Sequence, residues 1–555
     1  MAGNTNGETR MGTNGNCDGG ARRLSIGVQD FEKLRREECL YVDKTAFVFE
    51  LVHTVTPYFL SRPRRFGKSL FLSTLKAYWE GKKELFEGLD IIRLEEEAEE
   101  ASHKRESDPE KQYQAWQPYP VFYFDFNKDD FSRESALETV LDIHLKAWER
   151  QYGVTQPEES LSARFQRLLE RAVEQTGKRA VVLVDEYDKP LLETMANAEL
   201  EEHNKAAFKG FFSTLKSYDG YLKFVFLTGV TKFSKVSIFS DLNQLSDLSL
   251  DSRYAAICGL TEAEIRDNFK PEIEAMAAKH KIDAEGCMIK LAQMYDGYHF
   301  REDTPGVYNP FSVLNALDKK QFDAFWFSTG TPTFLLKKLK EAEFDPKKFT
   351  DGSIYADEAT LSDYRTENPD PVPLLFQSGY LTIKKYDAKY GSYELGYPNN
   401  EVKYGFLKSL APMFLQDEKA EHPLDIRMFG RDIESGNTDG LRDRFTTLFA
   451  RIPNPPEERV LENNFQNVVY IVFMLLGQFI HTEVHNARGR ADAVVETDDY
   501  VYIFEFKRDA TADEALQQIE EKGYALPYKA DKRMLIKVGA AFDSKKRELS
   551  DWKAV

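Results

Sequence analysis

Cysteine is scarce in this chain: Cys17, Cys39, Cys258 and Cys287 are far apart, and no two stand at metal-ligand spacing. This argues against a disulfide scaffold and fits a reducing cytosol, so a cytoplasmic location is expected. Long apolar runs are missing too. The longest, Val468 to Ile480, is too short to span a bilayer and suits a buried helix, so no membrane partner is expected. No secretory signal is evident; residues 1–24 are polar, rich in Gly, Asn and Thr, and read as a disordered tail. Internal repeats are absent. Basic charge is in deficit, with 74 Lys and Arg against 92 Asp and Glu and a net charge of −18. A protein that coats nucleic acid by electrostatics alone is normally basic. Any nucleic-acid contact must therefore be local, at a metal-assisted site or an Arg/Lys strip, or else depend on a partner. Even residues 457–555 carry 14 Lys/Arg against 18 Asp/Glu.

What is present supports sizeable cores: 42% of the residues are hydrophobic and 13% aromatic, and a length of 555 suggests about three domains. The most informative stretch is Ser61-Arg62-Pro63-Arg64-Arg65-Phe66-Gly67-Lys68-Ser69-Leu70. It follows the apolar run Tyr58-Phe59-Leu60 and opens a helical pattern at Leu70, Phe71 and Leu75. Strand, tight loop and helix N-terminus make a phosphate-binding loop, whose N–H groups and helix dipole point at phosphate oxygens. Lys68 would reach the β/γ-phosphates and the Ser69 hydroxyl would sit on Mg²⁺. The general pattern places Gly five residues before Gly67, and Arg62 stands there instead.

A second element agrees with the first. Ala180-Val181-Val182-Leu183-Val184-Asp185-Glu186 reads as a buried parallel strand with an acidic end. Asp185 is placed to hold the Mg²⁺ shell and Glu186 to polarise an attacking water. A third strand, Tyr221 to Thr231, ends in Thr228 and Thr231, where a group sensing the γ-phosphate would be needed. Strands alternating with helices as far as Thr231 imply a parallel α/β sheet. Arg93 to Gln117 is rich in Glu and Lys and reads as a solvated helix or loop.

Near the C-terminus, Gly489-Arg490-Ala491-Asp492-Ala493-Val494-Val495-Glu496 and Tyr500-Val501-Tyr502-Ile503-Phe504-Glu505-Phe506-Lys507 flank Thr497-Asp498-Asp499, two strands joined by a tight turn. With Asp498 and Asp499 central, Thr497 pairs with Tyr500 and Asp492 falls opposite Glu505. Directly opposed Cβ atoms lie about 4.5–5.5 Å apart, so two carboxylates there repel unless a divalent cation sits between them. Lys507, two residues on, points to the same face. Two metal ligands and a cation on one patch suit phosphodiester hydrolysis. Glu462, at the start of a helix, could complete the site as a further metal ligand, and Gln518 on the following helix is a polar partner. Tyr524 reads as packing.

Together these residues resemble the bacterial AAA-ATPase-like family that carries a C-terminal PD-(D/E)XK nuclease-type domain. Ile26-Gly27-Val28-Gln29-Asp30-Phe31 and Tyr41-Val42-Asp43-Lys44-Thr45 resemble its N-terminal signature, and Arg62 to Ser69 its version of the loop. Thr228 to Ser234, Tyr295-Asp296-Gly297-Tyr298 and Tyr308-Asn309-Pro310-Phe311-Ser312 fit as well. The resemblance covers roughly residues 25 to 540. It implies an α/β protein: a P-loop NTPase parallel-sheet core at 25–260, a helical lid or middle region at 261–415, and a smaller restriction-endonuclease-like domain at 416–555. It also implies ATP and Mg²⁺ as cofactors, with Arg64, Arg65, Gly67, Lys68, Ser69, Asp185, Thr228 and Thr231 around the nucleotide. The expected function is an ATPase whose nucleotide state controls a Mg²⁺-dependent nuclease-type domain acting on DNA or RNA. Two rivals stay open: a signalling or defence switch whose nuclease-like domain only docks a partner, and a nuclease that keeps ATP as a structural ligand. The sequence leaves oligomerisation open.

Overall fold

A computed structural model describes residues 22–54, 56–154, 160–195, 197–233, 245–327, 333–342, 344–349, 354–362, 364, 370–415, 425–452, 458–478, 480–484, 491–546 and 548–555. Most of the tail expected at 1–24 lies outside these residues. Residues 22–24 do not: Leu24 bridges Leu40, and the Arg22 guanidinium donates to the Asn268 carbonyl at 2.6 Å. The chain forms two compact units, residues 1–328 with 356–394, and 329–355 with 395–555. The division falls elsewhere than the sequence-derived boundaries at 260 and 415, because residues 261–328 share the first unit's packing and 395–415 the second's.

The first unit is built on strands β1 (Tyr58–Ser61), β2 (Val121–Asp125), β3 (Ala180–Asp185), β4 (Leu222–Gly229) and β5 (Ser246–Asp247), all parallel, in the order β2-β3-β4-β1-β5. Every residue of β3 is buried, as a strand covered on both faces requires. Phe224 and Phe226 of β4 meet Trp79 and Phe71 of the helix Lys68–Trp79 on one face. Phe122 and Phe124 of β2 point to the other face. There Phe124 packs against Trp148, Phe165 and Phe211 of the helices Ala136–Tyr152, Leu161–Thr176 and Ala198–Phe212. Ser61, Asp125, Asp185 and Gly229 thus end together at the carboxyl edge of the sheet, where open α/β sheets bind ligands.

The charged stretch after the loop helix forms the helix Asp90–Arg105, but it is not simply solvated. Glu95 is fully buried; it accepts hydroxyl bonds from Tyr78 and Tyr113, both at 2.7 Å, and lies 3.3 Å from His53. A small sheet of order β6-β8-β7 is formed by β6 (Tyr355–Ala356), β7 (Thr382–Asp387) and β8 (Ser392–Gly396).

The second unit carries β9 (His481–Val484), β10 (Ala493–Glu496), β11 (Tyr500–Arg508), β12 (Met534–Asp543) and β13 (Glu548–Ala554), ordered β13-β12-β11-β10-β9. The apolar run from Val468 is the buried end of the helix Glu458–Leu476. β11 and β12 run parallel, connected through the helix Ala512–Glu521, whose first turn is closed by a Thr511/Glu514 capping box. Among the described residues no helix is long and apolar enough to cross a membrane.

Candidate active sites

The loop after β1 takes two left-handed residues, Arg65 (φ 67°) and Gly67 (φ 95°), before the helix begins at Lys68. Glycine at 67 follows from that backbone: any side chain there would be strained. Lys68 is buried, and its ammonium donates to the loop carbonyls of Arg62 at 2.9 Å and Pro63 at 3.1 Å. Trp326 donates from Nε1 to the Arg64 carbonyl at 3.3 Å, and Phe66 packs edge-on against Tyr298 at 4.7 Å.

Asp185, at the end of β3, is buried with both oxygens engaged. Thr228 Oγ1 donates to Oδ1 at 2.8 Å and the Tyr123 hydroxyl to Oδ2 at 3.3 Å. Thr228 therefore acts on Asp185 rather than facing open space. Thr231 is also fully buried, and its N–H donates to Asp188 Oδ2 at 2.6 Å. Asp188 holds the Val230 N–H as well, at 2.9 Å, and burial pushes its carboxyl up to about 7. A Cβ on Gly229 would fall 2.7 Å from Asp188 and from the Tyr187 ring, so this turn is pinned from behind. Glu186 has a left-handed backbone (φ 49°), uncommon for a non-glycine residue and a frequent mark of functional sites. Burial raises its carboxyl, Lys68 lowers it and Asp185 raises it again.

A cavity of about 390 Å³ opens against this loop. Arg64, Arg65, Gly67, Lys68, Ser69 and Glu186 line it; Asp185, Thr228 and Thr231 do not. Lys44, Lys189 and Asn127 add polar groups, while Val28, Tyr41, Val42, Leu260, Phe269, Phe311 and Leu314 give an apolar wall. A cavity with cations at the loop and an apolar wall has the make-up that fits a nucleotide, phosphates at the loop and base against the wall. Sequence reading gave Gly27, Val28, Gln29, Tyr41, Val42 and Phe311 no role at this site. Their signal was their place in family-like motifs, but no local pattern shows that they converge.

In the second unit the β10–β11 register pairs Ala493 with Phe504 and Glu496 with Val501, and the Thr497 N–H donates to the Tyr500 carbonyl at 2.8 Å. Asp492 thus continues the ladder opposite Glu505, and its Oδ2 accepts the Phe506 N–H at 2.8 Å. Glu505 is 3% exposed. Its Oε1 accepts from Lys507 Nζ at 2.9 Å and from Gln518 Nε2 at 2.5 Å, while Oε2 is buried with no partner. Lys507 also donates to Gln518 Oε1, and Gln518 Nε2 lies 3.4 Å from the Tyr524 hydroxyl, so Tyr524 both packs and touches this network. Gly539 pairs with Glu505 on β12, and a Cβ there would collide with the Ala512 carbonyl and lie 2.9 Å from Leu516. Its bare backbone lets the helix Ala512–Glu521 come close enough to deliver Gln518, a role sequence reading missed.

An orphaned, buried carboxylate oxygen facing a second carboxylate is the donor chemistry of a hard divalent cation. The described residues hold no group of three or more His, Cys, Asp or Glu side chains able to share a metal. The Glu462 side chain, and Gly489 and Arg490 ahead of the hairpin, lie outside the described residues.

Burial and the Asp492 charge push the Glu505 carboxyl up to about 7 against the pull of Lys507, and burial raises Asp492 too. The unfolded glutamate titrates near ~4.3. Between these values the unfolded state loses its proton first, so stability falls as pH rises and levels off above about 7. Metal-free protein should therefore lose on the order of 3 kcal/mol through this group between about pH 4.5 and 7. Glu505→Gln should flatten that slope, leaving the shares due to the other raised carboxyls, Asp188, Glu186 and Asp492. Denaturant melts across the range check it, and parallel slopes in the two proteins would refute it.

Residues 25–239 match the family described as "Predicted AAA-ATPase", and residues 460–552 match the PD-(D/E)XK nuclease superfamily. The protein encoded in the vnfD 5′ region of Azotobacter chroococcum mcd 1 is 35% identical over 543 residues, covering 95% of this chain and 98% of that one. Among solved structures, the Aeropyrum pernix ORC2 protein, in ADPNP and ADP complexes, is 11% identical over 69% of this chain and 92% of that one. Its TM-score is 0.20, too low to carry an argument. With both segments matched in order and a relative aligned almost end to end, the chain belongs to the family of AAA-ATPase-like proteins bearing a C-terminal PD-(D/E)XK nuclease superfamily domain.

Proposed function

We propose that this protein binds and hydrolyses ATP, and that its nucleotide state controls a Mg²⁺-dependent nuclease-type domain acting on DNA or RNA. The observation that carries the reading is the partnerless buried oxygen of Glu505 opposite Asp492, beside the Lys507 ammonium. An inert domain has no need of a buried, repelling carboxylate pair. Asp492 and Glu505 would hold the cation, with Glu462 as a third ligand. A bound divalent cation supplies an acidified water and offsets charge on the phosphate. Lys507, held by Gln518, would orient the attacking water, and its charge would offset the charge developing on the phosphate.

In the first unit, Lys68 and the loop N–H groups would take the phosphates, with Arg64 and Arg65 adding charge and Ser69 supplying a hydroxyl to Mg²⁺. Asp185, both oxygens already accepting, would act on the metal's water shell. Glu186 would orient the attacking water, and its raised carboxyl suits it to accept a proton. Glu186→Gln should keep ATP binding but slow hydrolysis about 100-fold or more, whereas Asp185→Asn should weaken Mg²⁺ use. Wild-type turnover in Glu186→Gln together with normal Mg-ATP binding in Asp185→Asn would show the roles misassigned.

A second reading, a docking module without cleavage, is favoured by the excess of 18 acidic over 14 basic residues at 457–555. Plasmid and single-stranded DNA and RNA, incubated with Mg²⁺ or Mn²⁺ with and without ATP, separate the two. ATP-dependent cleavage supports the first; its absence on every substrate supports the second.

A further inference from the structure

Arg62 is the residue at which the phosphate loop departs from the general pattern, and its side chain is 1% exposed. Its guanidinium donates from Nη1 to the carbonyls of Ser61 and Ser249, both at 2.9 Å, and from Nη2 to that of Tyr254 at 3.0 Å. It stacks on Phe300 at 3.8 Å, and Nε is buried without a partner. Among the described residues no carboxylate lies within ion-pair distance of it. The nearby Asp247 is already paired with Lys232 at 2.6 Å. Carbonyl dipoles and a ring face solvate the cation but do not neutralise it, and an uncompensated buried charge is among the most expensive features a fold can carry. Burial accordingly lowers this guanidinium to about 10. The same residue's main chain shapes the anion site: its N–H donates to Gly229 at 3.2 Å and its carbonyl holds the Lys68 ammonium at 2.9 Å.

We propose that Arg62 is a positioning and electrostatic residue whose missing counter-ion is the polyphosphate of the bound nucleotide, so that the buried charge tightens binding without touching the ligand. This rests on the ATP-binding reading above. It gives the Tyr298–Phe300 segment a task, since Phe300 stacks on Arg62 while Tyr298 packs on Phe66 of the same loop.

Charge and mere packing make different demands. If Arg62 only fills space, its loss weakens all adenine ligands alike. If it acts by charge, the loss grows with the ligand's negative charge, because Coulomb energy scales with the product of the charges. The experiment is calorimetric titration of the full chain and of Arg62→Met and Arg62→Lys with adenosine, Mg-ADP and Mg-ATP, all in the same excess of Mg²⁺, so that negative charge rises along the series. Arg62→Met should lose about tenfold or more for ATP, less for ADP and almost nothing for adenosine. Arg62→Lys should stay within about threefold throughout. Equal losses for all three ligands in Arg62→Met would overturn the proposal. So would an Arg62→Lys that loses more than tenfold for ATP, and this arm decides the matter if Arg62→Met does not fold. Failure of the unmutated protein to bind ATP would instead overturn the nucleotide reading itself, and the Arg62 proposal with it.

Discussion

Lys68→Ala is expected to abolish Mg-ATP binding while leaving the fold intact. Neutral N–H groups cannot alone offset a triphosphate, and Lys68 supplies the point charge at the β/γ position. Hydrogen bonds to charged groups contribute about 1.5–3 kcal/mol each, so losing two of them lowers affinity by at least about 100-fold. The ammonium now rests on the Arg62 and Pro63 carbonyls, so nucleotide binding exchanges one set of acceptors for another. The mutant leaves those carbonyls beside a cavity that water can enter, and its melting temperature should change little. Calorimetry and circular dichroism test both halves, and equal ATP affinity in mutant and wild type would sink the nucleotide assignment.

The second large effect is expected at the hairpin. Asp492→Asn, Glu505→Gln and Lys507→Ala should each remove metal-dependent phosphodiester cleavage while ATP binding persists. Losing either carboxylate takes a charge from a hard-cation site, and losing Lys507 leaves the metal without an aligned water. The amide substitutions are chosen because Asp492 accepts the Phe506 N–H and Glu505 accepts from Lys507 and Gln518; alanine would orphan those donors. In metal-free buffer at neutral pH both amides should melt higher than wild type, since each relieves repulsion between opposed anions. Saturating Mn²⁺ should shrink or reverse that order, because wild type alone gains the full binding energy. Melting curves that ignore Mn²⁺ in all four proteins, with no nucleic acid cleaved, would favour the docking module.

The hairpin was legible in detail because a tight turn fixes register and a period of two fixes the face, so Asp492, Glu505 and Lys507 could be brought together from spacing alone. The strands of the first unit were legible as apolar runs, but nothing local orders β4 between β1 and β3. That neighbour relation decides where Thr228 points, namely onto Asp185. Thr231 was unreadable for a related reason: its burial is set by Asp188 and Tyr187, which approach from the previous strand's loop. Glu95 shows the limit of composition. A glutamate in a run of glutamates reads as solvent-facing, and only Tyr78, Tyr113 and His53, distant in sequence, make its burial tolerable. The cavity's apolar wall escaped because it is assembled from segments more than two hundred residues apart.

The two units are not consecutive on the chain: residues 329–355 belong to the second, and 356–394 return to the first before the second resumes. On the ribosome, the first unit cannot close until residue 394 has emerged, by which time a piece of the second has already been made and must wait unpartnered. No single cut yields two whole pieces. A truncation at any one junction strands a segment of one unit on the other fragment, exposing apolar surface that invites aggregation. Dissecting this protein into its AAA-ATPase-like and nuclease-type parts therefore calls for cuts at three junctions and one rejoining within each piece, not for a shorter clone.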